Sequence, residues 1–217
     1  MSHGSHHDDP DTMFSAPFWD DRYASGETTW SGNPNPHLVE RIADLVPGTA
    51  LDAGSGDGSD SLWLASRGWE VTGVDVSQVA LDLAARRAAD AGVGDRITWQ
   101  QADLREWAPP AASYDLVSAQ FMHLPGPVLD DLHRRLAAAV APGGTLLVVL
   151  HHPSHLEEHA DAWAGPPMFR TPEEVAAVLD DGWDVTAEAP SRTGMRDGAE
   201  REFHDTLVLA TRHGSKR

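Results

Sequence analysis

The sequence predicts an α/β fold, doubly wound around a mainly parallel seven-stranded sheet that ends in a C-terminal antiparallel hairpin. Three observations carry this expectation. Short apolar runs alternate with amphipathic, helix-length segments from Thr49 to Gly182, the pattern of strand–crossover–strand units. Glycine turns and capping residues punctuate the alternation, beginning with LDAGSGDG, Leu51 to Gly58. The last two apolar runs are joined by a turn-rich stretch of less than helical character, so they are expected to pair with each other.

Each element follows in order. HLVERIADLV (37–46) places Leu38, Ile42 and Leu45–Val46 on one helical face. TALDAG (49–54) is a short apolar strand, and GSDSLWLASRG (58–68) a helix ended by Gly68. WEVTGVDV (69–76) is a strand; the helix after it (77–92) takes Ser77 as its N-cap and ends near Gly92. RITWQQAD (96–103) and YDLVSAQF (114–121) are strands. The helix over 127–144 carries Val128, Leu132, Leu136 and Val140 at i+4 spacing, and TLLVVLHH (145–152) is a buried strand. Thr171, Pro172 and Glu174 form the capping-box signature of a helix over 171–182. WDVTAEAP (183–190) and EFHDTLVLATR (202–212) are the final strands, with SRTGMRDGAE (191–200) as their connection.

The organisation is that of one domain over residues 14–212, between a disordered His-rich tail (1–13) and a short tail (213–217). Within it, 14–46 forms a lid and first helix; Phe18 to Pro36 mixes aromatics with turn formers, as in segments that cover a site. The formal net charge is −18, from 34 acidic against 16 basic residues. Such a surface repels phosphate backbones, which argues against nucleic-acid and membrane-surface partners. Arg86–Arg87 and Arg134–Arg135 are read as solvated helix faces. With no cysteine, disulfides, thiolate metal sites and a cysteine nucleophile are excluded. The sequence shows neither an apolar run long enough to span a membrane nor a signal-peptide core, so a cytoplasmic monomer or homodimer is expected.

In an open parallel sheet, ligands bind at the carboxyl ends of the strands. The first strand ends at Asp52–Ala53, and Gly54-Ser55-Gly56-Asp57-Gly58 turns the chain into the next helix. The dinucleotide fingerprint G-x-G-x-x-G does not fit, because Ser59 stands where its third glycine belongs. No lysine follows, so the turn is not a phosphate-cradling loop. Asp52 and Asp57 would repel a pyrophosphate and suit an ammonium or sulfonium group. Asp75, at the end of the second strand, is placed to accept from both hydroxyls of a ribose. Asp103, at the tip of the third, is placed to accept from an adenine amino group, with the Leu104 backbone beside it. Together they describe an adenosine site without phosphate recognition.

With these motifs, LDAGSGDG, VTGVDVS, QQADL, YDLVSAQFMHL and VAPGGTLLVV, the chain resembles the class I S-adenosylmethionine-dependent methyltransferases over roughly residues 18–212. Its opening FWDDRYASGETTWSGNPNP resembles the lid of the thiopurine and tellurite-resistance branch. The resemblance implies a Rossmann-like domain with S-adenosyl-L-methionine as cofactor and a small-molecule methyl acceptor. It implies that Asp52, Gly54, Ser55 and Gly56 frame the methionine portion and ribose, that Asp75 binds the ribose hydroxyls, and that Val76 packs on adenine. Asp103 and Leu104 would hold the adenine edge, Gln120 would sit near the methionine amino group, and Arg22 or Trp30 would meet its carboxylate.

Methyl transfer from a sulfonium needs alignment and exclusion of water, and a general base only where the acceptor must lose a proton. His123, just beyond the fourth strand, is the candidate base, with a loop histidine packed on the cofactor as its structural alternative. Trp19, Tyr23 and Phe169 are candidates for enclosing the acceptor, and His151 and His152 for lining its pocket. His155 and His159 with Glu157 and Glu158 are the residue types of a metal site, but are read as part of an acceptor-facing loop, and no metal is assigned. Two other functions share these features: a non-catalytic module that binds the cofactor as sensor or partner, and a metal- or metalloid-handling protein built on the histidine clusters. A nucleotide-dependent oxidoreductase would need the fingerprint and phosphate donors that this turn lacks.

Overall fold

Apolar runs that the chain can bury only by covering both of their faces become the central strands of a parallel sheet. The computed structural model describes residues 12–26, 31–122, 124–154, 168–196 and 199–214. After a 3₁₀ turn at Thr12–Phe14, the elements are α1 (Ala16–Ser25), α2 (Pro36–Ile42), β1 (Thr49–Ala53), α3 (Ser59–Ser66), β2 (Glu70–Asp75), α4 (Gln78–Asp90), β3 (Ile97–Gln101), β4 (Tyr114–Gln120), α5 (Gly126–Ala139), β5 (Val140–His151), α6 (Pro172–Ala176), β6 (Trp183–Glu188), β7 (Ser191–Arg196) and β8 (Ala199–Arg212). The sheet runs β3-β2-β1-β4-β5-β8-β6, with β7 paired to β8 off this path. Strands β1 to β5 are mutually parallel, and β8 lies antiparallel to both β5 and β6.

The alternation of side chains along a strand divides the core in two. Leu146, Val148 and Leu150 of β5 join Leu129, Leu132 and Leu136 of α5 on one face. Leu147 and Val149 join Leu38 and Ile42 of α2 and Leu64 of α3 on the other. The caps expected from sequence are formed: Ser77 Oγ accepts from the Ala80 N–H at 3.1 Å, and Thr171 and Glu174 close a reciprocal capping box.

Four features depart from the sequence reading. The connection after β6 is not only a turn. The fourteen-residue β8 overhangs its neighbours, pairing with β5 no further than Asp205, and β7 pairs with the overhang from Ser191↔His204 to Arg196↔Ala199. An unpaired strand edge has backbone donors and acceptors to satisfy, and folding the connection back supplies them. The helix expected over 127–144 stops at Ala139, where Val140 already pairs with Tyr114, and α6 stops at Ala176. The lid segment contains a regular helix, α1, started by Ser15 and Pro17 and ended by Gly26 at φ 71°. The two arginine pairs are not wholly solvated faces. Arg87 pairs with Asp57 at 2.7 Å and donates to Gly32 O at 2.9 Å, and Arg135 donates to the carbonyls of Leu104, Arg105 and Trp107. Each guanidinium holds a loop at the ligand end of the sheet against a helix. Among the described residues, no helix is long and apolar enough to cross a membrane.

Candidate active site

The turn after β1 is bare backbone held from below. The N–H groups of Gly54 and Ser55 donate to Val74 O at 2.8 and 3.0 Å, which docks the turn onto β2. Gly54 and Gly56 have φ of 78° and 52°, a conformation that costs an L-residue about 1–2 kcal/mol. Space is short as well. A Cβ on Gly54 would collide with Met122 Sδ, and one on Gly56 would stand 2.6 Å from Tyr23 Oη. Asp75 Oδ2 accepts from the Gly56 N–H and Oδ1 from the Ser77 N–H, both at 2.9 Å. The side chain of Ser55 is buried, and its hydroxyl has no hydrogen-bond partner among the described residues.

A group of carboxylates surrounds this turn. Asp52 is 2% exposed and accepts from Ser61 Oγ at 2.6 Å. Burial first, and then the negative charges of Asp60 and Asp75, push its carboxyl up to about 7. Asp60 accepts from the Asn35 N–H at 2.6 Å and is raised, mainly by burial, to about 6. Burial also raises Asp75, against the pull of its backbone donors. Asp20 of α1 reaches across to Ser77 Oγ (2.6 Å) and the Val79 N–H (3.2 Å), so α1 is tied to the start of α4. A cation brought to this turn would favour the ionised forms of Asp52 and Asp60.

At the end of β4, Gln120 accepts from Asn35 Nδ2 at 2.9 Å and donates to Ser118 Oγ at 2.8 Å. Phe121 follows at φ 53°, an uncommon value for a bulky residue, and its N–H is held by Val149 O at 2.7 Å. That bend puts Met122 over Gly54 and turns the Phe121 ring against His151, with centroids 4.6 Å apart. Val76 is half-buried beside Asp75, and Leu104 is buried. Asp103 is paired with Arg105 at 2.6 Å, and this partner holds its carboxyl below the usual range.

His151 ends β5 between two rings, with Phe169 edge-on at 6.0 Å. Its Nδ1 lies 3.5 Å from Oδ1 of Asp205, which is fully buried. Oδ2 of Asp205 accepts from Arg192 Nε at 2.7 Å and lies 3.2 Å from His37 Nε2. Burial works to raise this carboxyl, but His151, His37 and Arg192 together hold it far below the usual range. His152 instead accepts the Ser154 N–H at Nδ1, 3.2 Å away, with Ser154 Oγ 3.0 Å from the same nitrogen. Trp19 and Tyr23 lie on α1 with ring centroids 6.3 Å apart, and the exposed Arg22 stacks over Trp19 at 5.7 Å. His123 and Trp30 lie outside the described residues, as do His155, His159, Glu157 and Glu158.

The structure thus gathers Asp52, Gly54, Ser55, Gly56, Asp75, Val76 and Gln120 around one turn, with Tyr23 over it, and groups His151 with Phe169 a short way along the strand ends. Sequence reasoning missed Asn35, Asp60, Phe121, Met122, His37 and Asp205. Asn35 carried a usable signal, since N-P-N-P ahead of an apolar helix marks an N-cap. The partners of His37 and Asp205 did not.

The fold is a mainly parallel α/β domain, and the glycine turn meeting Asp75 at the ends of its first two strands is the candidate ligand site. A family model described as a methyltransferase domain matches residues 50–144. The 2-heptyl-1-hydroxyquinolin-4(1H)-one methyltransferase of Mycobacteroides abscessus is 27% identical over 80% of this chain and 78% of its own. The trans-aconitate 2-methyltransferase of Rhizobium meliloti is 36% identical over 63% of this chain, which spans about half of that relative, 53%. In fold, the chain is similar to DhpI, solved as a complex with SAH, with a TM-score of 0.63 at 21% identity over 94% of this chain and 97% of that one. Residues 50–144 are a methyltransferase domain, and the relatives support S-adenosyl-L-methionine as its cofactor.

Proposed function

We propose that the protein transfers a methyl group from S-adenosylmethionine to an S, O or N atom of a compact small molecule. The carrying observation is the contact between Gly56 and Asp75: the bare turn and the ribose-type carboxylate of the next strand meet at 2.9 Å. The residues fit the cofactor. Glycine backbone without side chains, the Ser55 hydroxyl, which has no partner among the described residues, and the Asp52–Asp60 pair suit a nucleoside bearing cationic groups.

In this reading Asp75 binds the ribose hydroxyls, Val76 packs on adenine, and Asp103 and Leu104 meet its edge. Gln120, held by Asn35 and Ser118, takes the methionine amino group, and Arg22 or Trp30 its carboxylate. Tyr23, Trp19, His151, His152 and Phe169 bound the acceptor side, and His123, outside the described residues, is the candidate base. The cofactor supplies an activated methyl group, so these residues need chiefly to align the acceptor and exclude water. The α1 lid supports placing the chain in the thiopurine and tellurite-resistance branch, and the reading includes a cytoplasmic location.

Calorimetry with S-adenosylmethionine and its demethylated product tests the cofactor site, and a methyl-transfer screen against thiols, phenols and amines tests the reaction. Micromolar binding of both ligands and turnover of at least one acceptor class are expected. Absence of binding at high micromolar concentration would sink the proposal.

A further inference from the structure

We propose that Asn35 is a positioning residue that fixes Gln120 as a hydrogen-bond acceptor, and thereby makes the site select ligands carrying a free α-ammonium group. The proposal rests on the methyl-transfer reading above and sets the polarity of its methionine end.

Asn35 is locked in place by its own neighbours. It stands between Pro34 and Pro36, and the ring of Pro36 holds its ψ in the extended range, at 127°. Pro36 opens α2 and has no N–H, so the first backbone donor of the helix is His37, which reaches Asn35 Oδ1 at 2.9 Å. The backbone N–H of Asn35 itself donates to Asp60 Oδ1 at 2.6 Å. Its Nδ2 donates to Gln120 Oε1 at 2.9 Å. The start of α2, the first turn of α3 and the end of β4 therefore meet on one residue.

The direction of this relay follows from groups that can only donate. A backbone N–H has no acceptor, so the Asn35 atom facing His37 is the carbonyl oxygen and the atom facing Gln120 is the amide nitrogen. That nitrogen also only donates, so the Gln120 atom opposite it is Oε1. The Gln120 nitrogen is then turned to Ser118 Oγ, at 2.8 Å. A half-turn of an amide exchanges its donor and acceptor ends, and here the cap of α2 forbids that half-turn. Oε1 has two lone pairs. Asn35 takes one, and no second donor meets it among the described residues.

Gln120 stands where that lone pair counts. Asp52 pairs with Ser118 and Ala53 with Ala119 across β1 and β4, so Gln120 comes level with Gly54, the first residue of the glycine turn. Asp60, which holds the Asn35 backbone, and Asp52, which accepts from Ser61 of α3, border the same face of the sheet. The groups assembled there are acceptors. They complement an ammonium and repel a carboxylate, so the amino-acid end of the cofactor is oriented by its nitrogen.

Asn35→Ser isolates the donor. Serine caps a helix about as well as asparagine, but one hydroxyl cannot serve the His37 N–H and also reach Gln120. Calorimetry on the full chain compares the demethylated product of S-adenosylmethionine, which keeps the ammonium, with its deaminated analogue, in which hydrogen replaces the amino group. Wild type should prefer the first by about tenfold or more, the range for a hydrogen bond to a charged group. Asn35→Ser should erase most of that preference by weakening the ammonium-bearing ligand alone. In a Gln120→Glu background the same substitution should leave the preference intact, because a carboxylate accepts at either oxygen and needs no orienting. Equal weakening of both ligands in Asn35→Ser, an unchanged preference, or a preference lost as fully in the Gln120→Glu background would each overturn the assignment and leave the methyltransferase reading intact. So would a wild-type protein that binds both ligands alike. Failure of the wild type to bind either ligand would remove that reading, and the proposal with it.

Discussion

The backbone N–H of Gly56 donates to Oδ2 of Asp75 at 2.9 Å, joining the turn after β1 to the end of β2. A single carboxylate thereby holds the shape of the turn and, in the proposed reading, has lone pairs left for a ribose.

Asp75→Ala should weaken cofactor binding by about 1.5–3 kcal/mol, the range for hydrogen bonds to a charged group. In dissociation constant that is roughly 10- to 150-fold. Calorimetry reads it directly, and full affinity in the variant would contradict the assignment.

Cofactor binding should tighten as pH rises from 5.5 to 8. In the unliganded fold, Asp52 and Asp60 titrate at about 7 and about 6, above the 3.8 of an unperturbed carboxyl. A cationic ligand favours their ionised forms, so binding releases protons, with up to about tenfold gain in affinity per pH unit for each proton released. For stability the sign is opposite. These two groups favour the unliganded fold most below pH 3.8, and that contribution is lost as pH rises through 6 to 7. Calorimetry in buffers of different ionisation enthalpy counts the protons, and Asp52→Asn should reduce the count.

Gly54→Ala should destabilise the fold by about 1–2 kcal/mol from its φ of 78° alone, with a further loss from the collision with Met122. Adding Met122→Ala should recover only the second part in urea denaturation. Full recovery would mean that backbone conformation is not the constraint.

His133 of α5 is 1% exposed, and neither ring nitrogen has a hydrogen-bond partner among the described residues. Burial holds its pKa down at about 4. Its neutral form is therefore required, and stability should fall as pH drops from about 6.5 toward 4. His133→Leu should raise stability by about 1–3 kcal/mol at pH 7, the cost of an unsatisfied buried polar group. It should also flatten the decline toward acid pH. Urea midpoints at pH 7 and pH 5 compare the two proteins, and a slope identical to wild type would refute the account.

The sequence by itself determined what local patterns encode. The continuous apolar run of β5, the capping signatures of Ser77 and Thr171, and the glycines of the first turn each report a conformation set by neighbouring residues. Asp75 was legible for the same reason, since a strand's last residue and the next helix cap are one local unit. β7 was not, because its glycine and charges mark a turn. It forms where β8 outruns its partners, a mismatch that depends on the lengths of three strands together.

The tertiary structure alone decided the surroundings of His151 and Gln120. His37 and Asp205 are 168 positions apart, and Asn35 and Gln120 are 85 apart. No sequence period links such pairs. They meet because the antiparallel insertion of β8 beside β5 puts Asp205 opposite His151, and because α2 lies on that same face of the sheet. Side-chain chemistry at long range is fixed by strand order and register, and those emerge only when both faces of the sheet are buried at once.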